Sequence, residues 1–177
     1  MIDRRARIVI GIGGNVGGED AVIARFRQAR EALAMLGAVR SAALYRTAPI
    51  GPEQPAFLNT AVLLRIEDPE PREIAEALRE IERLLGRQRE REVRWGPRTI
   101  DLDILAWGIG ADLARVISAT EPGGIDVPHP RVGERHFALA PLADLVGQDA
   151  IIPGVGRVGD ALARVRAQAL EQISETW

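Results

Sequence analysis

Apolar side chains recur along this 177-residue chain with two periods, one suited to strands and one to helices. Ile8, Val9, Ile10 and Ile12 predict a short buried strand over 6–12. The glycine-rich run from Gly11 to Gly18 reads as a tight strand-to-helix turn and fails the dinucleotide fingerprint, because Val16 stands where a third glycine is needed. Val22, Phe26, Ala29, Leu33 and Leu36 recur at steps of three and four and predict an amphipathic helix stopped by Gly37. A strand is expected over 39–46, then a Pro/Gly loop, then a second strand over 57–66. In that second strand Leu58, Val62, Leu64 and Ile66 share one face, while Phe57 and Asn59 share the other. Pro69 and Pro71 open a helix carrying Ile74, Leu78, Ile81 and Leu85, closed by Gly86, and a strand-like alternation returns over 99–105.

The order β-α-β-β-α-β predicts an α+β fold with a ferredoxin-like core. Its antiparallel sheet carries helices on one face and leaves the other face available. The pattern weakens beyond Trp107: a short strand over 114–117 is expected, then helical segments over 133–146 and 158–173 as a C-terminal helical extension. No repeat, low-complexity tract or linker divides the chain, so residues 1–177 read as a single domain.

Composition narrows the chemistry. There is no cysteine, which removes disulfides, thiolate zinc sites and cysteine nucleophiles. All 23 basic residues are arginine, so no Schiff-base or Walker A lysine exists, while arginine keeps bidentate phosphate recognition available. None of the three serines lies in a nucleophile elbow. A formal net charge of −2 argues against a nucleic-acid partner. No run approaches the ~20 apolar residues of a membrane span, and Gly11 interrupts the first apolar run, so a cytoplasmic protein is expected.

Asp101-Leu102-Asp103 is the sharpest local feature. On a strand both carboxylates project to one side, with Ile100, Leu102 and Ile104 behind them. A divalent cation resolves the repulsion between two such anions; two solvated aspartates on an edge strand are the alternative reading. Arginines flank the pair on both sides: Arg87, Arg89, Arg91, Arg94 and Arg98 upstream, Arg131 and Arg135 downstream, with His129 held between two prolines. Arg98 is read as functional, and Arg91 as part of a solvated, charge-paired loop. Glu82 sits at the margin of an apolar helix face. A ring at Phe57 and an amide at Asn59 on one non-core face suit stacking and hydrogen bonding to a flat heterocycle, or packing under the proline-rich loop.

The run Arg94-Trp95-Gly96-Pro97-Arg98-Thr99-Ile100-Asp101-Leu102-Asp103-Ile104-Leu105 resembles the signature of the 6-hydroxymethyl-7,8-dihydropterin pyrophosphokinases of folate biosynthesis. Tyr45 to Pro52 with Phe57-Leu58-Asn59, Val127 to Arg131 with Arg135-His136-Phe137, and Ile12 to Gly17 resemble its other blocks, in family order. The resemblance implies pyrophosphate transfer from ATP to the pterin hydroxymethyl group, with release of AMP. It implies two Mg²⁺ ions on Asp101 and Asp103, and ATP-phosphate contacts from Arg98, Arg135 and His129. Arg87 and Arg89 match loop arginines that close over the triphosphate. Glu82, Ile104 and Asp126 match the adenosine side. Thr47, Ala48, Ile50, Phe57, Asn59, Trp95 and Phe137 match the pterin side. The small-molecule partners are then ATP and the pterin, and a monomer is expected. The segment from Gly86 to Pro97 is expected to be mobile without ligand and ordered with both substrates.

The chain departs from the family pattern at Gly14, where serine is usual, and at Phe57, where tyrosine is common. Its arginine loop is a residue longer, and its 108–124 stretch is extended. Two alternatives accompany the resemblance: a single-stranded RNA-binding sheet, and another D-x-D metal-dependent nucleotide transferase.

Overall fold

The computed structural model describes residues 5–49, 51–93, 95–110, 112–118 and 124–177. The first apolar run becomes β1 (Ala6–Gly14), a central strand buried on both sides. It pairs antiparallel with β4 (Phe57–Ile66) along one edge and β5 (Asp101–Ile109) along the other. Gly11, Gly13 and Gly14, read from sequence as turn residues, lie within β1. The expected strand over 39–46 is two pieces, β2 (Ala38–Ser41) and β3 (Leu44–Thr47), both paired with β4. At the break, Ala42 N–H donates to the Ala61 carbonyl, Ala43 N–H to the Asp144 carboxylate, and the Thr60 hydroxyl to the Ala43 carbonyl. The interruption therefore strands none of these backbone groups.

Two amphipathic helices, α1 (Glu19–Ala34) and α2 (Pro71–Leu84), cover one sheet face. Their Val22, Phe26, Leu33, Ile74 and Leu78 pack with Ile8, Ile10, Ile12, Leu58, Val62, Leu64, Leu102 and Ile104. That partition follows the predicted alternation along β1, β4 and β5. The α1 helix ends at Ala34, before Gly37.

The opposite face is not left free, contrary to the sequence expectation. Val9, Ala61, Leu63, Leu105 and Ala106 are buried against Leu139, Leu142 and Leu145 of α3 (His136–Val146) and Val158, Ala161 and Val165 of α4 (Val158–Val165). Most of α3 is apolar, as suits a helix held between a sheet and another helix. A two-stranded hairpin, β6 (Ile151–Ile152) and β7 (Gly156–Arg157), joins the two helices. The expected final helix stops at Val165, and β8 (Glu171–Ser174) follows and pairs antiparallel with β3. The sheet order is β5-β1-β4-β3-β8, with β2 beside β4. Residues 114–117 form no strand; Ile117 makes a single bridge to Val127.

One irregularity sets the sides of β5. Ile10 faces Ile104, but Val9 faces Ala106, so Leu105 is an additional residue. Before this bulge Leu102 and Ile104 join the α1/α2 core; after it Ala106 faces α3 and Trp107 joins the α1/α2 core.

Candidate active site

Beyond the leucines of α3, the side-chain volume of β1 on the second sheet face falls away at its glycines. Across the strands lie Asp101, Gly13, Asn59 and Tyr45 in one register row, with Asp103 opposite Gly11 in the next. The two β1 glycines leave the floor low: a Cβ at Gly13 would lie 3.2 Å from Asn59 Oδ1, and one at Gly11 would lie 3.2 Å from the Leu105 side chain. The result is a cavity of about 320 Å³. That volume lies at the lower end of ordinary small-molecule sites.

The cavity gathers most of the residues the sequence singled out. Thr47, Ala48, Phe57, Asn59, Trp95, Arg98, Asp101, Asp103, His129, Arg135 and Phe137 all line it. The two aspartate side chains project together from β5, as the alternation requires, with Leu102 buried behind them. Asn59 Nδ2 donates to Thr47 Oγ1 at 2.9 Å, fixing an amide and a hydroxyl on the buried wall. Trp95 belongs to the arginine loop, and its carbonyl accepts a 2.7 Å hydrogen bond from Gln54 of the proline-rich loop. Gly51 lies against this contact with φ +113°, and a Cβ there would lie 2.8 Å from that of Trp95. Only glycine combines that conformation with that approach.

Sequence reasoning missed Gly11, Gly13, Leu105 and Ala138 as cavity residues. Glycines two apart in an apolar strand were the available signal, because they mark close approach by a ligand or another chain segment. Asn15 was missed as an organiser. It is buried; its amide donates to Gln54 Oε1 and the Pro55 carbonyl, and its Oδ1 accepts from Arg98 N–H.

Five sequence-selected residues are not part of the cavity lining. Ile104 is in the α1/α2 core. Asp126 is exposed beside Val127, whose backbone pairs with Ile117. Glu82 is 1% exposed and is bonded on both oxygens. Its Oε1 accepts from Leu102 N–H at 2.8 Å and Arg87 Nη1 at 2.5 Å; its Oε2 accepts from Arg89 at 2.7 and 2.9 Å. Arg87 is buried and pairs in addition with Glu92 and Asp101. Burial opposes its charge, but the Asp101 and Glu82 carboxylates outweigh that and raise its pKa. Arg98 pairs with Glu92. Ile50 lies outside the described residues.

Acidic and basic groups meet within the cavity. Desolvation and then the Asp101 charge push the Asp103 carboxyl up to about 7, against its ordinary 3.8. Beside it, burial and the Arg135 charge hold His129 below its ordinary pKa, so it is neutral near pH 7. Burial and the neighbouring Arg131 lower Arg135. His129 Nδ1 accepts the Arg131 N–H at 3.1 Å, which leaves the proton of the neutral ring on Nε2, 3.9 Å from Asp103 Oδ2. The ring is therefore a donor toward the cavity. Arg135 lies over Phe137, 5.5 Å from the ring centroid, and Arg131 over Trp95 at 5.3 Å. Among the described residues no group of three or more acidic or histidine side chains is arranged to hold a metal. The aspartate pair offers hard anionic oxygens with coordination positions left for phosphate and water, a donor set that fits Mg²⁺.

The family model described as 7,8-dihydro-6-hydroxymethylpterin-pyrophosphokinase (HPPK) matches residues 9–147, which contain the entire cavity lining. The chain belongs to the HPPK family. The 2-amino-4-hydroxy-6-hydroxymethyldihydropteridine pyrophosphokinase of Methylorubrum extorquens is 37% identical over 169 residues, covering 94% of this chain and 98% of that protein. The Bacillus subtilis protein of the same name is 42% identical over 143 residues, covering 78% of this chain and 77% of its own. A folate synthesis bifunctional protein of Arabidopsis thaliana is 37% identical over 150 residues, and there the match spans only 28% of the longer chain. Among solved structures, Plasmodium falciparum HPPK-DHPS with pteroate superposes with a TM-score of 0.64 at 12% identity, over 91% of this chain and 44% of that one. At that identity the likeness concerns the HPPK fold alone. Residues 148–177 lie beyond the span of the HPPK model.

Proposed function

We propose that this chain transfers pyrophosphate from ATP to the hydroxymethyl oxygen of 6-hydroxymethyl-7,8-dihydropterin, releasing AMP for folate synthesis. The observation that carries the reading is one cavity holding a carboxylate pair, a cationic flank and an aromatic–amide wall together. The family and its named relatives support the same activity. In the reaction an O–P bond forms between the pterin oxygen and the β-phosphorus, the bond from the β-phosphorus to the α-β bridging oxygen breaks, and the hydroxyl proton is lost.

Asp101 and Asp103 are the residues that would hold magnesium, as two ions in the family pattern. Bound there, magnesium supplies charge neutralisation and alignment of the phosphates. Arg98, Arg135 and the Nε2–H of His129 face the cavity as phosphate donors. Phe57, Phe137 and Trp95 offer ring faces to the pterin, and Thr47, Ala48 and Asn59 its polar partners. Catalysis of this kind rests on positioning and charge stabilisation more than on covalent chemistry. Arg87 and Arg89 are bonded to Glu82, and Arg87 also to Asp101, so a triphosphate would compete with those carboxylates for them. That competition supports reading Gly86 to Pro97 as a lid with Glu82 as its inner anchor. Asp126, Ile104 and Ile50 are kept for the adenosine and pterin sides on resemblance alone.

We further read the β5-β1-β4-β3 core as the ferredoxin-like split βαβ arrangement, and the chain as one domain acting as a cytoplasmic monomer. No helix among the described residues is long and apolar enough to cross a membrane. The RNA-binding alternative is not favoured: α3 and α4 cover much of the sheet face such a module would use, and the remaining opening is anionic at Asp101 and Asp103. The test is incubation with ATP, Mg²⁺ and the reduced pterin, followed by nucleotide chromatography. AMP in step with pterin consumption is expected; ADP as the sole nucleotide product would overturn the proposal.

A further inference from the structure

The residues that follow the matched family span return to both walls of the cavity. At one wall, Gln168 grips the turn that leads into α3. Its side-chain oxygen accepts the His136 N–H at 2.9 Å, its amide donates to the Glu134 carbonyl at 2.7 Å, and its own carbonyl lies 2.8 Å from His136 Nδ1. That turn carries Arg135 and Phe137, which line the cavity on either side of His136. At the other wall, β8 lies beside β3 and covers what would otherwise be its open edge, with Tyr45 opposite Gln172 and Arg46 opposite Glu171. Arg46 bridges Glu171 of β8 and Glu19 of α1, at 2.7 and 2.6 Å.

Trp177 closes the arrangement. It is 8% exposed, meets Phe26 edge-on with centroids 6.1 Å apart, and donates its indole N–H to the Ala42 carbonyl at 2.9 Å. Arg30 of α1 stacks over the indole at 4.9 Å and donates to the Trp177 backbone oxygen at 2.6 Å. Ala42 lies in the two-residue break between β2 and β3, and Thr47 ends β3 at the cavity with its hydroxyl held by Asn59. A four-residue strand has little stability of its own, so its placement depends on what flanks it.

We propose that the segment from Gln168 to Trp177 is a positioning brace for the substrate cavity, in which Gln168 sets the Arg135–Phe137 corner and β8 with Trp177 sets the Thr47–Ala48 wall. This rests on the pyrophosphokinase reading for its kinetic test, but not for its structural one. The two attachments differ in what they hold. The β8–Trp177 side reaches the cavity only by way of β3, whose end carries the pterin-assigned Thr47 and Ala48, whereas the turn held by Gln168 carries one pterin-assigned and one phosphate-assigned residue.

Two single substitutions in the chain of residues 1–177 separate this from general loss of stability. In Trp177→Ala, the dissociation constant for the pterin, read by its fluorescence, should rise about tenfold, with that of a nonhydrolysable ATP analogue changed less than about twofold. Trp177→Phe, which keeps the ring but loses the N–H donor, should recover part of the loss. In Gln168→Ala, an exposed site where folding is not in question, both constants should rise about three- to tenfold. Amide hydrogen exchange of the ligand-free protein should accelerate over 44–48 in the first variant and over 134–138 in the second. Exchange unchanged in those segments, or a lowered melting temperature with unchanged pterin affinity well below it, would overturn the brace. So would equal losses for both ligands in Trp177→Ala. If the wild-type chain forms no AMP with the pterin, the pyrophosphokinase reading fails instead, and the exchange measurements still decide the brace.

Discussion

The second face of the sheet is two regions built on the same strands. Toward one end Val9, Leu63 and Ala106 meet Leu139, Leu142 and Leu145 and leave no room for a ligand. Toward the other, β1 continues with Gly11 and Gly13, β4 ends in Asn59 and Phe57, and β5 presents Asp103 and Asp101 to a cavity. Backbone pairing continues through both. The difference lies in side-chain volume and in where α3 begins: its first residues, His136 and Phe137, stand at the boundary, and its leucines cover only the filled end. A packed interior and a binding site can thus adjoin one another without a change of fold. Substitutions in the two regions should accordingly fail in different assays.

The largest effect belongs to the cavity. On the proposed function, Asp101→Asn and Asp103→Asn should each lower kcat by about 10³ or more, because one of the two carboxylates proposed to hold magnesium is lost. The melting temperature should change little by comparison. Wild-type turnover at ordinary Mg²⁺ in either variant would dissolve the distinction between the regions. The mirror experiment is Leu142→Ala in the filled region. It should cost about 2–5 kcal/mol of stability in denaturant unfolding while both KM values stay near wild type below the transition.

A smaller effect divides the cavity itself. Phe137→Ala should weaken pterin binding by about 1–3 kcal/mol through loss of a stacking face, and weaken ATP less. Asn59→Ala should act in the same direction by leaving polar atoms of the ring unpaired. Calorimetry giving equal losses for both ligands would remove the division into a pterin wall and a phosphate wall. The smallest effect is on pH. Asp103 is raised to about 7, so the free protein holds a proton there below that pH and releases it above. Cation binding requires the anion. Mg²⁺ affinity of the ligand-free protein should therefore rise with pH, by at most about tenfold per unit below 7, and level off above it. Affinity independent of pH between about 5.5 and 8 would contradict this.

Much of the first core was legible in the sequence. The periods of α1, α2 and β4 follow local rules, and Asp101 and Asp103 share a side of β5 because side chains alternate. Long-range facts were not legible. Nothing in the spacing from Arg87 to Asp101 announces their ion pair, nor does the helical pattern over 158–173 disclose that Glu171 onward turns into a strand beside β3. The cover on the second face was missed because alternation shows which residues leave the first core, not what meets them. The nearly all-apolar sequence of α3 was the overlooked sign, since a helix with so little polar surface must be covered on more than one side.

The extra residue at Leu105 has a consequence for how β5 tolerates change in length. By resetting which side each residue occupies, it lets one short strand send two carboxylates into the cavity and still return Trp107 to the opposite core. It also places the Leu105 carbonyl to accept the His129 N–H at 3.3 Å, so the histidine segment is referenced to the same irregularity. Cavity face and core face are thereby locked in phase. Removal of a single residue from β5 could keep Asp101 and Asp103 in place only by turning Trp107 out of its core, or keep Trp107 by driving the carboxylates into apolar surroundings. Substitutions at many β5 positions can be absorbed one at a time, but a one-residue insertion or deletion cannot, and variation in length must fall outside the strand.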